Sequence, residues 1–187
     1  MTTIVEDKIL HPQAPDWACA IDENIQLAVR RGLKHLCCVA NVARTTGWVN
    51  QFVCAVRTAQ AANPKVEVRC GLKAELLNQF GALDLPRSTA GADYVYLAMR
   101  QFPLGDRCYS PAEIRKQLRS GDLDAGQLIT ALVEATRNAM LAHPGLVIAE
   151  MFSILPLVGL DESMVTDSQL RELAQIARLT GASIEVD

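Results

Sequence analysis

Polar side chains that could bind a metal ion or an anion follow several apolar runs of the chain. They stand at the ends of predicted strands, at His11, Asn41, Lys73, Arg100 and His143. Imidazole is a common metal ligand, whereas lysine ammonium and arginine guanidinium groups bind phosphate and carboxylate. Because α/β proteins hold their ligands at the carboxyl ends of parallel strands, we expect these side chains to share one site. The alternative is that the strands end in polar residues simply because the chain enters solvent there.

The elements that would position these side chains alternate between strand and helix. Strands are predicted at 3–10, 35–42, 66–76, 93–99, 138–143 and 182–187, and helices at 22–32, 45–63, 110–121, 124–137 and 166–181. The continuous apolar run at 35–42 is typical of a strand buried on both faces, and Ser110-Pro111 is a typical helix start. This alternation predicts an α/β fold with a parallel sheet or barrel.

Composition limits the classes of protein to which the chain can belong. Its 187 residues, 50% of them hydrophobic and 21% charged, predict one folded domain over residues 1–187 rather than a disordered chain. The net charge of −3 makes nucleic acid an unlikely partner. No apolar run is long enough to span a membrane, and the first residues contain no signal-peptide core. Since the six cysteines include no C-x-x-C pair, we expect a cytoplasmic protein with reduced thiols.

Taken in chain order, the strand-end motifs resemble the PHP (polymerase and histidinol phosphatase) family. The matching segments are ILHPQ at 9–13, RRGLKHLCCVANV at 30–42, VRCGLKAEL at 68–76, ADYVYLAMR at 92–100, LAHPG at 141–145 and GASIEVD at 181–187. The resemblance implies a distorted (β/α)7 barrel that binds two or three divalent metal ions and hydrolyses phosphoesters. Because the last predicted strand is the sixth, we expect a barrel that is truncated or open after strand six.

Most of the metal-ligand positions that the resemblance implies carry other residues in this chain. His11 and His143 match histidines of the family pattern. The other positions differ: Gln13 stands in place of a histidine, Asn41-Val42 in place of an Asp-His pair, Lys73 in place of a glutamate, and Arg100 in place of a histidine. A cationic side chain at a ligand position repels a metal ion, by about 4 kcal/mol for two unit charges ~4 Å apart at an effective dielectric of 20. We therefore expect that metal-dependent hydrolysis has been lost.

The first hypothesis is a degenerate PHP-like protein that has no cofactor and acts as a non-catalytic accessory protein. Its expected ligand is a small phosphorylated or carboxylated anion, held by Lys73, Arg100, His11, His143, Asn41 and Gln13. The alternative for Lys73 and Arg100 is an ordinary ion pair with Glu75, Asp93 or Glu150.

Two other hypotheses remain open. One is a metal-dependent phosphoesterase whose reduced site, for zinc, manganese or iron, consists of His11, His143, Glu75 and Asp16. The other is an RNA-associated subunit, because another degenerate barrel of similar shape serves as a protein of ribonuclease P. The acidic charge balance argues against it.

An open barrel would also affect the partners of the chain. The edges of its first and sixth strands would be unpaired, and exposed strand edges promote association. We therefore expect a homo-oligomer or a partner protein that covers the gap, unless the chain's own loops cover it. No membrane partner is expected.

Overall fold

The chain is a mixed α/β protein whose strands run mostly parallel. A computed structural model describes residues 7–10 and 17–185, with side chains from Cys19 to Glu185. The chain divides into two compact units, the first with residues 1–74 and 85–95, and the second with residues 75–84 and 96–187. The single domain over residues 1–187 stays a prediction.

The first unit is built from alternating strands and helices. Its elements are β1 (Asp7–Leu10), α1 (Trp17–Arg31), β2 (His35–Val42), α2 (Val49–Ala62) and β3 (Glu67–Glu75, of which Glu75 belongs to the second unit). β2 pairs in parallel with β1 on one side and with β3 on the other. The predicted strand at 35–42 is confirmed, and its residues 36–40 are buried on both faces, as a continuous apolar run requires.

The helices of this unit turn one apolar face inward. On α1, Ile21, Ile25 and Ala28 are buried, and on α2, Phe52 and Val56 are buried. Spacings of three and four residues place such side chains on one side of a helix. Burial of each large apolar side chain contributes about 1.5–3 kcal/mol.

The second unit combines a parallel set of strands with an antiparallel hairpin. Its elements are β4 (Tyr94–Ala98, of which Tyr94 and Val95 belong to the first unit), β5 (Phe102–Leu104), β6 (Arg107–Tyr109), α3 (Pro111–Ser120), α4 (Ala125–Ala142), β7 (Val147–Ile148), α5 (Asp167–Thr180) and β8 (Ser183–Ile184). β7 pairs in parallel with β4 and with β8. The hairpin of β5 and β6 was not predicted, because its strands are only three residues long.

Helix starts in this unit follow the predicted capping chemistry. The Ser110 hydroxyl accepts a hydrogen bond from the amide of Glu113 (3.3 Å), and the Glu113 carboxylate accepts one from the amide of Ser110 (2.8 Å). Pro111 occupies the first turn, where its missing N–H has no intrahelical partner to lose. The predicted helix start at Ser110 is therefore confirmed.

The predicted strand at 138–143 is wrong. Residues 138–142 form the last turns of α4, and His143 is its C-cap, with its amide donating to the Ala139 carbonyl (2.9 Å). Ala135, Ala139 and Met140 are buried at helical spacing. Over so few residues an apolar run fits a strand and a buried helix equally well, so periodicity could not separate them.

None of the helices that the structure describes is both long enough and apolar enough to cross a bilayer.

Candidate functional site

In the first unit, the carboxyl ends of β2 and β3 bring Asn41 and Lys73 together. The two residues are direct partners in the parallel register, so their side chains leave the same face of the sheet. Lys73 is only 8% exposed, and Asn41 is half-buried. A buried ammonium group is costly unless polar groups or an anion surround it.

A small cleft lies where the chain leaves β2 and enters α2. It measures about 210 Å³ and is lined by Arg44, Thr46, Gly47, Val49, Asn50, Pro86, Arg87 and Ser88. The two guanidinium groups come from separate segments, and none of the described residues that line the cleft is acidic. Because pockets for drug-sized ligands measure about 300–1,000 Å³, this cleft suits a smaller group such as phosphate or carboxylate.

Neutral donors accompany the two arginines. The Thr46 hydroxyl accepts a hydrogen bond from the amide of Ala43 (2.8 Å), so its own proton can be donated elsewhere. Trp48, at the start of α2, offers no side-chain cap to the first amides of the helix. The positive end of the helix dipole adds to the field of the arginines. The cleft thus combines hydroxyl and guanidinium donors.

The segment that carries Arg87 is fixed to the rest of the first unit by Asp93. The Asp93 carboxylate accepts hydrogen bonds from the amide of Cys70 (2.7 Å) and from the guanidinium of Arg57 (2.9 Å). Arg57 also donates to the carbonyl of Gly91 (2.9 Å). Burial acts to raise the pKa of Asp93, but the hydrogen bonds from Arg57 and Cys70 outweigh it and hold that pKa below its ordinary value. Asp93 is therefore charged at neutral pH and positions the segment.

In the second unit, Arg100 forms an ion pair. Its Nε lies 3.2 Å from one Glu75 carboxylate oxygen, and its amide donates to the other (3.2 Å). The Arg100 side chain is 61% exposed, whereas Glu75 is half-buried. The ordinary ion pair that the sequence left open is thus present. Since Glu75 already offsets the guanidinium charge, Arg100 is a weak candidate for direct anion binding.

The predicted position of His143 at the carboxyl end of a strand is wrong. His143 ends α4 and precedes β7, so it lies at the amino end of that strand. β4 and β7 are parallel, and Arg100 follows β4. Arg100 and His143 therefore lie toward opposite ends of this strand pair and do not share a site there. The error follows from the strand predicted at 138–143. With that strand, His143 would lie at the carboxyl end of a strand, whereas it lies at the amino end of β7.

Glu150 occupies the position that the sequence had assigned to His143. It follows β7 at the carboxyl end, and it has φ of 52°, while Phe152 has φ of 66°. Such left-handed backbone costs about 1–3 kcal/mol at a non-glycine residue. The apolar run LVIAE, which ends in an acid after a Pro-Gly turn, was the available signal.

Part of each predicted site lies outside the described residues. His11 and Asp16 of the predicted metal site, and Gln13 of the predicted anion pocket, are among the residues that the structure does not describe. Within the part of the chain that is described, no three His, Cys, Asp or Glu side chains are grouped to hold a metal ion.

The Cys108 thiol of the second unit is half-buried beside acidic and carbonyl oxygens. It donates a hydrogen bond to the Leu76 carbonyl (3.1 Å). Burial, and after it the charge of Glu75, raises the pKa of Cys108 to about 11. The thiol is therefore protonated at neutral pH and is a poor nucleophile.

Comparison with known proteins assigns no family. No protein-family model matches the chain, and no curated protein matches it either. The resemblance to the PHP family therefore depends on the strand-end motifs alone and stays a prediction.

Proposed function

We propose that the chain is a PHP-like protein that has lost metal-dependent hydrolysis and binds a small phosphorylated or carboxylated molecule. The observation that carries this proposal is the cleft lined by Arg44 and Arg87, which has no acidic side chain among the described residues of its lining. It opens just beyond the carboxyl end of β2, where Asn41 adjoins the buried Lys73. The parallel order of strands in each unit is compatible with the barrel that the resemblance implies.

The charge pattern of the cleft favours an anion. The chain as a whole has a net charge of −3, yet two arginines from separate segments face the same small space. An anion held between two guanidinium groups is attracted by both of them. Guanidinium also forms paired hydrogen bonds with phosphate or carboxylate oxygens, which gives geometric selectivity.

A metal-dependent phosphoesterase is supported less well by the described residues. Of its four expected ligands, His11 and Asp16 lie outside the described residues. Glu75 is paired with Arg100, and His143 lies at the amino end of β7.

The test is a phosphate titration followed by thermal unfolding and calorimetry. Ligand at ten times its Kd stabilises the folded state by about 1.4 kcal/mol, so the unfolding midpoint of the unmodified protein should rise with phosphate. Arg44→Ala and Arg87→Ala should each weaken phosphate binding about tenfold or more, because each removes a charge-assisted contact. Arg30→Ala, which removes an exposed arginine at the end of α1, is the matched control.

Equal phosphate stabilisation of all three variants would contradict the proposal. Metal content should be measured in parallel on protein purified without added metal or chelator. A stoichiometric transition metal that disappears in the His11→Ala/His143→Ala double variant would favour the phosphoesterase instead.

A further inference from the structure

A cluster of cations lies on one face of α3 in the second unit. We call it the α3 basic face, and it consists of Arg115, Lys116 and Arg119, all exposed. Two clefts, of about 720 Å³ and about 530 Å³, are both lined by Arg115 and Arg119. They therefore adjoin each other along the helix and form one elongated depression.

The carboxylates close to this face in sequence are engaged in helix caps and turns. Glu113 accepts hydrogen bonds from the Ser110 amide (2.8 Å) and hydroxyl (2.7 Å). Asp122 accepts one from the Ser120 hydroxyl (2.6 Å). Asp124 lines the larger cleft, and its carboxylate caps α4 through the amide of Gly126 (2.7 Å). Within the residues that the structure describes, no carboxylate forms an ion pair with the α3 basic face.

The larger cleft also has an apolar floor. Leu118, Leu123 and the segment 156–160 line it, and Leu157 is 53% exposed. A 3₁₀ turn at Leu155–Val158, with Leu155 and Val158 buried, holds the segment in place. The exposed leucine is thus fixed beside the arginines.

We propose that the α3 basic face and its apolar floor dock an acidic peptide segment of a partner protein. The positive charge of this face would attract such a peptide. This charge is a local feature, since acids outnumber bases 21 to 18 in the whole chain. Arg115 and Arg119 are one helical turn apart, about 6 Å, a spacing that matches alternate carboxylates on an extended peptide. An apolar side chain of the same peptide contacts Leu157. The docking surface lies wholly in the second unit and does not depend on the anion cleft of the first.

The test uses a fluorescein-labelled peptide of glutamates interrupted by leucines, with fluorescence anisotropy as the readout. The full chain should bind this peptide, and binding should weaken as salt rises, because the Debye length falls from about 30 Å at 0.01 M to about 8 Å at 0.15 M. A peptide with glutamine in place of glutamate should bind at least about tenfold more weakly.

Matched variants separate this surface from general charge effects. Arg115→Glu/Arg119→Glu should weaken binding about tenfold or more, and Leu157→Ser should weaken it about threefold, because each removes one component of the site. Arg171→Glu/Arg178→Glu, which makes the same charge change on exposed residues of α5, should leave binding within about twofold.

Three results would overturn the proposal. They are no binding at low salt, equal losses in the α3 and α5 double variants, and equal affinity for the glutamine peptide. Anionic vesicles or single-stranded RNA that bind more tightly than the acidic peptide, with the same sensitivity to Arg115→Glu/Arg119→Glu, would also overturn it. Thermal midpoints of all variants should be recorded, and Leu157→Ser tests the site again if the double variant does not fold.

Discussion

Replacement of Asp93 should destabilise the first unit and loosen the segment that carries Arg87. In Asp93→Ala, the amide of Cys70 loses its 2.7 Å acceptor, and an unsatisfied buried amide costs about 1–3 kcal/mol. The bond to Arg57 contributes less than a buried one would, since that side chain is 43% exposed and water replaces the carboxylate. The contact with Arg69 is long, at 3.4 Å, and adds little. We expect a total loss of about 2 kcal/mol.

The assay is urea unfolding of Asp93→Ala, Asp93→Asn and a control, Glu172→Ala. Asp93→Asn keeps an oxygen that can accept from the Cys70 amide, so it should cost only about 1 kcal/mol. Glu172→Ala removes a largely exposed pair with Arg137 (3.1 Å) and should cost less than about 1 kcal/mol. If Asp93→Ala costs no more than Glu172→Ala, Asp93 does not fix the segment and the reasoning is refuted.

The same residue predicts a pH dependence with a definite sign. The pKa of Asp93 in the folded protein lies below its ordinary value of 3.8, so the charged carboxylate stabilises the fold. That contribution is complete above pH 3.8 and is lost as the pH falls through the folded pKa. The stability difference between the unmodified protein and Asp93→Asn should therefore shrink below this pH. A stability difference that stays constant as the pH falls until Asp93 is fully protonated would contradict this role of its carboxylate.

Two further predictions concern the second unit. Gly81→Ala should lower the free energy of unfolding by about 3 kcal/mol or more, because φ is 87° and the new Cβ would lie 2.4 Å from the Asn138 backbone. Gly105 has φ of 62° but open space around it, so Gly105→Ala should lower the same quantity by only about 1–2 kcal/mol. Urea unfolding measures both losses. Similar costs would show that the close backbone approach is absent. Iodoacetamide at neutral pH should modify Cys108 more slowly than the exposed Cys54, because burial raises the pKa of Cys108 to about 11. Faster labelling of Cys108, measured by peptide mass spectrometry, would contradict the buried thiol.

Elements with a strong local signal could be predicted from the sequence. The strand at 35–42 is buried on both faces over residues 36–40, and the continuous apolar run there made it visible in the sequence. The start of α3 was predictable because Ser110 and Pro111 are chemically suited to a helix N-terminus. At 138–143 no such signal existed, and packing of Ala139 and Met140 as part of a helix decided the structure.

The candidate site was predictable only where strand register determines it. Asn41 and Lys73 end neighbouring strands, and parallel pairing brings them together without long-range information. Neither Arg44 nor Arg87 was predicted as a site residue, because each lies in a loop whose sequence is typical of an ordinary solvated turn. Their shared cleft depends on the fixation of segment 85–95 by Asp93, which is a contact between residues distant in sequence. No local pattern contains that information.

The charges at the strand ends favour an anion site in the first unit over one around Arg100 in the second unit. In the first unit, the carboxyl ends and the loops beyond them carry Lys73, Arg44 and Arg87, and no acid lines the cleft there within the described part of the chain. In the second unit, the corresponding ends carry Arg100 paired with Glu75, followed by Glu150 after β7. An anion that approached Arg100 would meet the Glu75 carboxylate, and at an effective dielectric of 20 the repulsion between two like unit charges ~4 Å apart is about 4 kcal/mol. Anion binding is therefore expected to respond to Arg44 and Arg87, and Arg100→Ala should leave it nearly unchanged.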